Sequence, residues 1–328
     1  QTLSRMVDAG FITSERADAL KDIEILLVKA DAKESRASYA VRQVRAKLEQ
    51  VMEQEGILQG GLKVYTTLDA GWQARLESDL ARAVADMENE KDWPHPRLSN
   101  HESGTEAEYL QFAAVTTETK SGAVLALIGG RDFADSRYDR TRSKRDLGSA
   151  FEPFVAAAAA ERGRLVLAGK PVQTGRQIGP AEVERLAKRC GINGPFLDTE
   201  DLFRGAVAAT PMEMSVGLAT LGNSGKRPKP YFISRIVDAD GKTLYRAKPS
   251  IFQALGQAAA EEALGVLKQR SGTRYFTGAT GSERDAWTLR LGPSGSTAIW
   301  IGFDDPKRIS GEARLTALLD EFVERLGN

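Results

Sequence analysis

Residues 113–128 constrain the fold of this chain more than any other stretch. Two apolar runs, Ala113-Ala114-Val115 and Ala123-Val124-Leu125-Ala126-Leu127-Ile128, flank a polar turn at Lys120-Ser121-Gly122. Apolar runs about a short glycine-bearing turn predict a β-hairpin. Further on, Gly148-Ser149-Ala150-Phe151-Glu152-Pro153-Phe154 leads into the alanine run Ala156 to Ala160. That run predicts a helix starting near Ser149, because alanine favours helix and proline is tolerated in the first turn.

Ser149-x-x-Glu152 admits two readings. As a capping box, the Ser149 hydroxyl accepts from the N–H of residue 152 and the Glu152 carboxylate reaches back to the N–H of Ser149. As a relic of catalysis, Ser149 is a nucleophile whose partner sits three residues on, on the same helix face. A serine hydroxyl is a poor nucleophile until a neighbouring base takes its proton. The cap is the commoner use of this pattern, and it predicts that Ser149 begins its helix as a cap.

Elsewhere the pattern alternates between helix and strand. Residues 1–60 read as helical and polar, with nine basic and ten acidic side chains, a solvated segment. Val41, Val44, Leu48 and Val51 repeat at heptad-like spacing, too briefly for a coiled coil, so docking on the main body is expected. Val64 to Thr67 reads as a strand, and Trp72, Leu76, Leu80, Ala83, Val84 and Met87 share one helix face. Residues 91–107, including Trp93-Pro94-His95-Pro96, read as an exposed loop. A helix is expected from Ala181 to Gly191-Ile192, and another after Thr210-Pro211 towards Gly222. Tyr231 to Val237 and Thr243 to Tyr245 predict a hairpin about Asp240-Gly241. Ala254 to Leu267 reads as helix, 274–278, 285–291 and 297–303 as strands. Leu315, Leu318, Leu319, Phe322, Val323 and Leu326 form the apolar face of a last helix.

Composition narrows the function classes. Forty-five basic residues balance forty-five acidic ones, which argues against a nucleic-acid partner. One cysteine, Cys190, excludes an internal disulfide and is expected on the apolar side of its helix. With His95 and His101 as the sole histidines there is no zinc cluster to build, and no cofactor is expected. No run of about twenty apolar residues is present to span a membrane.

The stretch Ala113 to Phe133, with its Gly129-Gly130-Arg131-Asp132-Phe133 ending, resembles the strand pair that precedes the active-site serine in bifunctional (class A) penicillin-binding proteins. Gly61 to Asp69 with Gln73, Thr210-Pro211, Arg284-Asp285-Ala286-Trp287 and Ile299 to Asp305 resemble further segments of that family's transpeptidase domain, in the same order. Leu3 to Thr13 resembles the sequence that follows its glycosyltransferase domain. The resemblance implies an α/β (α+β) fold of the transpeptidase/β-lactamase type, a central antiparallel sheet flanked by helices, here reduced in size. It also implies a helical interdomain linker at 1–62, a strand, helix and loop at 63–110, and a transpeptidase-like domain at 111–328. Gln1 is not an initiator methionine, so an adjoining glycosyltransferase domain and a membrane anchor are expected outside this sequence, with the chain on the periplasmic side of the inner membrane. Peptidoglycan or cell-wall synthesis proteins are the partners the resemblance suggests.

Against the family's pattern, the catalytic groups are depleted. The family uses Ser-x-x-Lys, and here Glu152 stands where the lysine would be. Its Lys-Thr-Gly triplet corresponds to Phe276-Thr277-Gly278, so a phenyl ring replaces the cation that helps hold a substrate carboxylate. No Ser-x-Asn occurs in the roughly twenty residues from Arg162 to Pro180; Thr174-Gly175-Arg176 is the nearest approach and no substitute. The expectation is therefore a pseudo-transpeptidase, with Ser149, Glu152, Phe276, Thr277 and Gly278 as relic positions. Phe276 is expected to fold over the former site against Phe151 or Phe154 and fill the groove. The alternatives are a residual serine acyltransferase with Glu152 as base, and a stem-peptide or glycan-binding module.

Overall fold

In a computed structural model, which describes residues 2–21, 38–58, 60–293, 295–309, 315, 319, 320 and 323, the hairpin at 111–128 lies at one end of a six-stranded antiparallel sheet. Its strands are β1 (Gln111–Thr117), β2 (Val124–Ile128), β3 (Lys268–Arg270), β4 (Thr273–Ala279), β5 (Asp285–Gly292) and β6 (Gly295–Gly302), in the order β3-β4-β5-β6-β1-β2. Every residue of β1 and β6 is buried, because helices cover both sheet faces. Alternate side chains enter two cores. Ala113, Trp287, Leu289, Ala298 and Trp300 pack into one. Phe112, Ala114, Ala286, Ile299 and Ile301 pack into the other.

Helix α1 (Tyr39–Val51) precedes α2 (Ala70–Glu88), which starts at an Asp69 cap and lays Leu76, Leu80, Ala83, Val84 and Met87 on the second core. On the first core lie α3 (Glu152–Glu161), α4 (Pro171–Arg176), α5 (Pro180–Cys190), α6 (Pro211–Gly222) and α7 (Gln257–Leu264). Helix α3 is buried on all sides from Glu152 to Ala159. A helix without a polar face belongs in an interior, and its alanines allow close neighbours. Cys190 is buried as expected, and burial pushes its thiol up to about 12. Lys63–Thr66, Ile233–Val237 and Thr243–Arg246 form a separate three-stranded antiparallel sheet that includes the hairpin about Gly241. Residues Gln1–Arg36 and Ala37–Asn328 make two compact units, the first containing helices Thr2–Asp8 and Ser14–Lys21.

Several expectations need correction. Helix α1 docks on the body as expected, but buried Tyr39 and Ala40 lead the contact rather than Val41, which is 47% exposed; Val44, Leu48 and Val51 are half-buried. Tyr39 docks because Gly129 and Gly130 have no side chains, a Cβ on either falling 2.6 Å from Tyr39 atoms. Its hydroxyl donates to the Ser136 carbonyl at 2.6 Å, and its ring meets Phe133 edge-on. The loop at 91–107 is not free of the body either. Trp93 packs against the second core and stacks near Phe303, and His101 lies 2.8 Å from Asp135. Helix α7 begins later than expected because Gly256 is its extended cap, and the amides of Ala254 and Leu255 bond the Gly225 carbonyl. Leu315, Leu319 and Val323 are helical and buried; Leu318, Phe322 and Leu326 lie outside the described residues.

Candidate functional site

Three backbones converge around Ser149. The 3-10 turn Gly148–Phe151 is held by bonds from Leu147 N to Val207 O and from Gly148 N to Gly205 O. Gly148 has φ +50°, and a Cβ there would sit 2.1 Å from the Ala279 carbonyl oxygen. Gly278 brings β4 equally close from the other side, where a Cβ would lie 2.4 Å from the amide nitrogen of Ala150. Only glycine permits both approaches. As a result the exposed Ser149 hydroxyl meets one residue of β4 at both ends. It accepts from the Ala279 N–H at 3.1 Å and donates to the Ala279 carbonyl at 3.3 Å.

Ser149 is not a helix cap. It lies inside the 3-10 turn rather than at an extended cap position, and its backbone carbonyl, not its hydroxyl, receives the amide of residue 152. Phe151 occupies the cap position of α3 and makes no side-chain cap bond. The Glu152 carboxylate points elsewhere too, accepting from the Gly169 N–H at 2.5 Å. Burial raises its pKa above the usual glutamate range, and the Gly169 hydrogen bond partly opposes that rise. The same four-residue pattern does form a capping box at Thr210-x-x-Glu213, where the cap is extended and the two bonds measure 3.1 and 2.8 Å.

In front of Ser149 lies a cleft of about 470 Å³, walled by Glu152, Phe276, Gly278, Leu315 and Leu319. Phe276 is half-buried against the core that contains Phe151 and Phe154, as expected, but the groove stays open. Strand alternation explains this: Phe276 and Gly278 share a face of β4, so the ring forms a wall beside the serine rather than a lid above it. Thr277 alternates to the other side of β4, where it donates to Asp320 at 3.1 Å, and it also borders the cleft. The short 162–179 connection adds no polar group to the cleft. Thr174 is buried and accepts from the Leu167 N–H at 3.1 Å, while Arg176 pairs with Glu200 at the surface.

Sequence reasoning missed Arg204, Thr280, Gly281 and Glu283, which complete the cleft. The last three belong to the β4–β5 turn, where Glu283 has φ +55° and accepts from Arg308 at 2.6 Å. Among the described residues, no lysine lines the cleft, and no group of His, Cys, Asp or Glu is arranged to hold a metal.

No family model matches the sequence. Penicillin-binding protein 2D of Bacillus subtilis is 25% identical over 374 aligned residues, covering 93% of this chain and 51% of its own length. Penicillin-binding protein 1B of Vibrio cholerae is 24% identical over 352, covering 88% and 43%. The chain thus spans about half the length of these curated relatives. Among solved structures, penicillin-binding protein 1A from Haemophilus influenzae matches with a TM-score of 0.71 at 18% identity, over 98% of this chain and 75% of that one. The PonA1 protein from Mycobacterium tuberculosis, solved with penicillin V, matches at 0.70 and 20% identity, over 87% and 90%. The D,D-transpeptidase domain of a peptidoglycan glycosyltransferase from Eggerthella lenta matches at 0.58 and 17%, over 86% of each chain. The fold of this chain is that of the penicillin-binding-protein transpeptidase domain, and its relatives in sequence are penicillin-binding proteins.

Proposed function

We propose that this chain is a non-acylating transpeptidase-fold domain of a peptidoglycan synthase, with a structural, docking or regulatory role in cell-wall synthesis. The observation that carries this reading is the pairing of Ser149: both bonds of its hydroxyl go to the Ala279 backbone, while the Glu152 carboxylate is bonded to Gly169. Geometry precedes pKa in identifying a general base. A raised pKa would favour Glu152 as a base, yet no hydrogen bond joins its carboxylate to the Ser149 hydroxyl, and one of its oxygens is bonded to Gly169 instead. Loss of the base from a nucleophile dyad costs several orders of magnitude in rate. With Phe276 in place of a cation, position 276 offers a terminal carboxylate no charged partner, and the arginine at the cleft, Arg204, is paired with Asp201. By likeness to its relatives, the domain would work outside the cytoplasm beside a glycosyltransferase domain, anchored to the membrane by a segment beyond this sequence.

The open cleft favours one second reading, a module that binds a peptide or glycan without turnover. Labelling with a reporter penicillin separates both readings from a residual enzyme. No covalent adduct is expected on the purified protein. A labelled band that disappears in Ser149→Ala would overturn the proposal.

A further inference from the structure

The separate sheet of Lys63–Thr66, Ile233–Val237 and Thr243–Arg246 has two unlike faces. Register sets them: Val64, Ile236 and Tyr245 stand in one cross-strand row, and Tyr65, Arg235 and Arg246 in the next. Successive rows project to opposite sides of a sheet. Ile236 is buried and its two neighbours are half-buried, so the first row faces inward. In the second row Tyr65 and Arg246 are exposed and Arg235 is half-buried, with its guanidinium 4.2 Å from the centre of the Tyr65 ring. Lys63 and Leu244, two positions before Tyr65 and Arg246, continue this outer face, and both are exposed. Among the described residues neither arginine pairs with a carboxylate. Asp238 does not reach them; its Oδ1 accepts from the amides of Asp240 and Lys242 within the connecting turn, at 3.1 and 2.9 Å.

Thr243–Arg246 is also an open edge, paired on one side only, with Ile233–Val237. The Ala247 amide donates to the Ser234 carbonyl at 2.9 Å. Tyr245 opposite Ile236 is then the next hydrogen-bonded pair, and the backbone groups of Leu244 and Arg246 point outward. An exposed row of unpaired amides and carbonyls is a template for a further strand. A cation on such an edge repels a second copy of the same edge and admits an acidic strand.

We propose that the Thr243–Arg246 edge docks an extended acidic segment of another protein, which adds to the sheet as a further strand. Backbone bonds to Leu244 and Arg246 supply the affinity, and carboxylates at alternate positions of the segment meet Arg246, with Arg235 behind it. The inference goes beyond the non-acylating reading, since this sheet is the same whether or not Ser149 can be acylated.

The test is titration of the purified protein with a short labelled peptide of alternating threonine and glutamate, beside a control peptide with lysine in place of glutamate. Binding is read by fluorescence anisotropy, and its place by hydrogen exchange. The wild type should bind the glutamate peptide and not the control, and the peptide should slow exchange at the amides of Leu244 and Arg246. Arg246→Gln should weaken binding by roughly tenfold or more, the usual consequence of losing a charge-assisted contact. Leu244→Pro keeps the charge and removes one outward amide, a change that an edge strand tolerates, and it should weaken binding to a similar extent. If the glutamate peptide does not bind, if the variants bind it as the wild type does, or if only phosphatidylglycerol vesicles are captured, the proposal is overturned. Protection elsewhere in the chain, with none at Leu244 and Arg246, overturns it too. Because Arg246 is exposed, its variant keeps the test decisive even where Leu244→Pro fails to fold.

Discussion

Glu152 shows how one residue can keep its place in a pattern and change its role. Its carboxyl is buried at the start of α3 and receives the Gly169 amide. Because burial raises its folded pKa, the folded chain holds that proton to higher pH than the unfolded chain does. The stability it contributes is complete below the unfolded value of about 4.5 and is lost as pH rises through the folded value. Glu152→Gln keeps an oxygen for the Gly169 amide and removes the titration. Urea midpoints measured between about pH 4 and pH 8 should therefore fall for the wild type relative to the variant as pH rises. A gap that does not change with pH would contradict this account. The sequence could not place this carboxylate, because its partner is seventeen positions away in a connection with no regular pattern.

Elements of the sheet were legible from their periodicity. The strands expected at 274–278, 285–291 and 297–303 appear as β4, β5 and β6 with shifts of at most two residues at their ends. What could not be read was how elements approach one another. Ser149-x-x-Glu152 and Thr210-x-x-Glu213 carry the same signature, yet only the second is a capping box. The difference lies outside both motifs, in the contact of β4 with the turn 148–151 through Gly278 and Ala279. Phe276 was placed against the correct core, but its position as wall rather than lid depends on the register of β4. Gly278→Ala should thus cost about 1–3 kcal/mol, since its Cβ meets backbone 2.4 Å away and backbone cannot swing aside. Gly281→Ala, with nothing within 4 Å, should change stability by less than about 0.5 kcal/mol. Denaturant unfolding of the pair checks both; equal effects would show that the close approach is not maintained in solution.

At the scale of the molecule, the order of the motifs was sufficient to indicate the fold, because strands and helices matched to one family recur along most of the chain. That α1 docks on the body was legible, but the part Tyr39 plays in the joint was not. Tyr39 and the segment 129–136 are some ninety positions apart, and nothing in either announces the other. Tyr39→Ala should free α1, raise protease cleavage within residues 38–62, and cost roughly 3–5 kcal/mol as a large buried ring is removed. Tyr39→Phe keeps the ring between Gly129 and Gly130 and should cost only about 1 kcal/mol. Cleavage patterns that do not distinguish the two variants would argue that the hydroxyl, not the ring, holds the joint.

Strand β3 pairs with β4 only as far as Tyr275, and Ser149 takes up the backbone of Ala279. Thr277 has the same backbone orientation as Ala279, facing away from β5 at the gap between those two neighbours. Its amide hydrogen should therefore be replaced by deuterium quickly, while those of Phe276 and Gly278, turned towards β5, are replaced slowly. The floor of the cleft would then exchange in alternation, fast at one residue and slow on either side, recording in time the single free rung of an otherwise completed ladder.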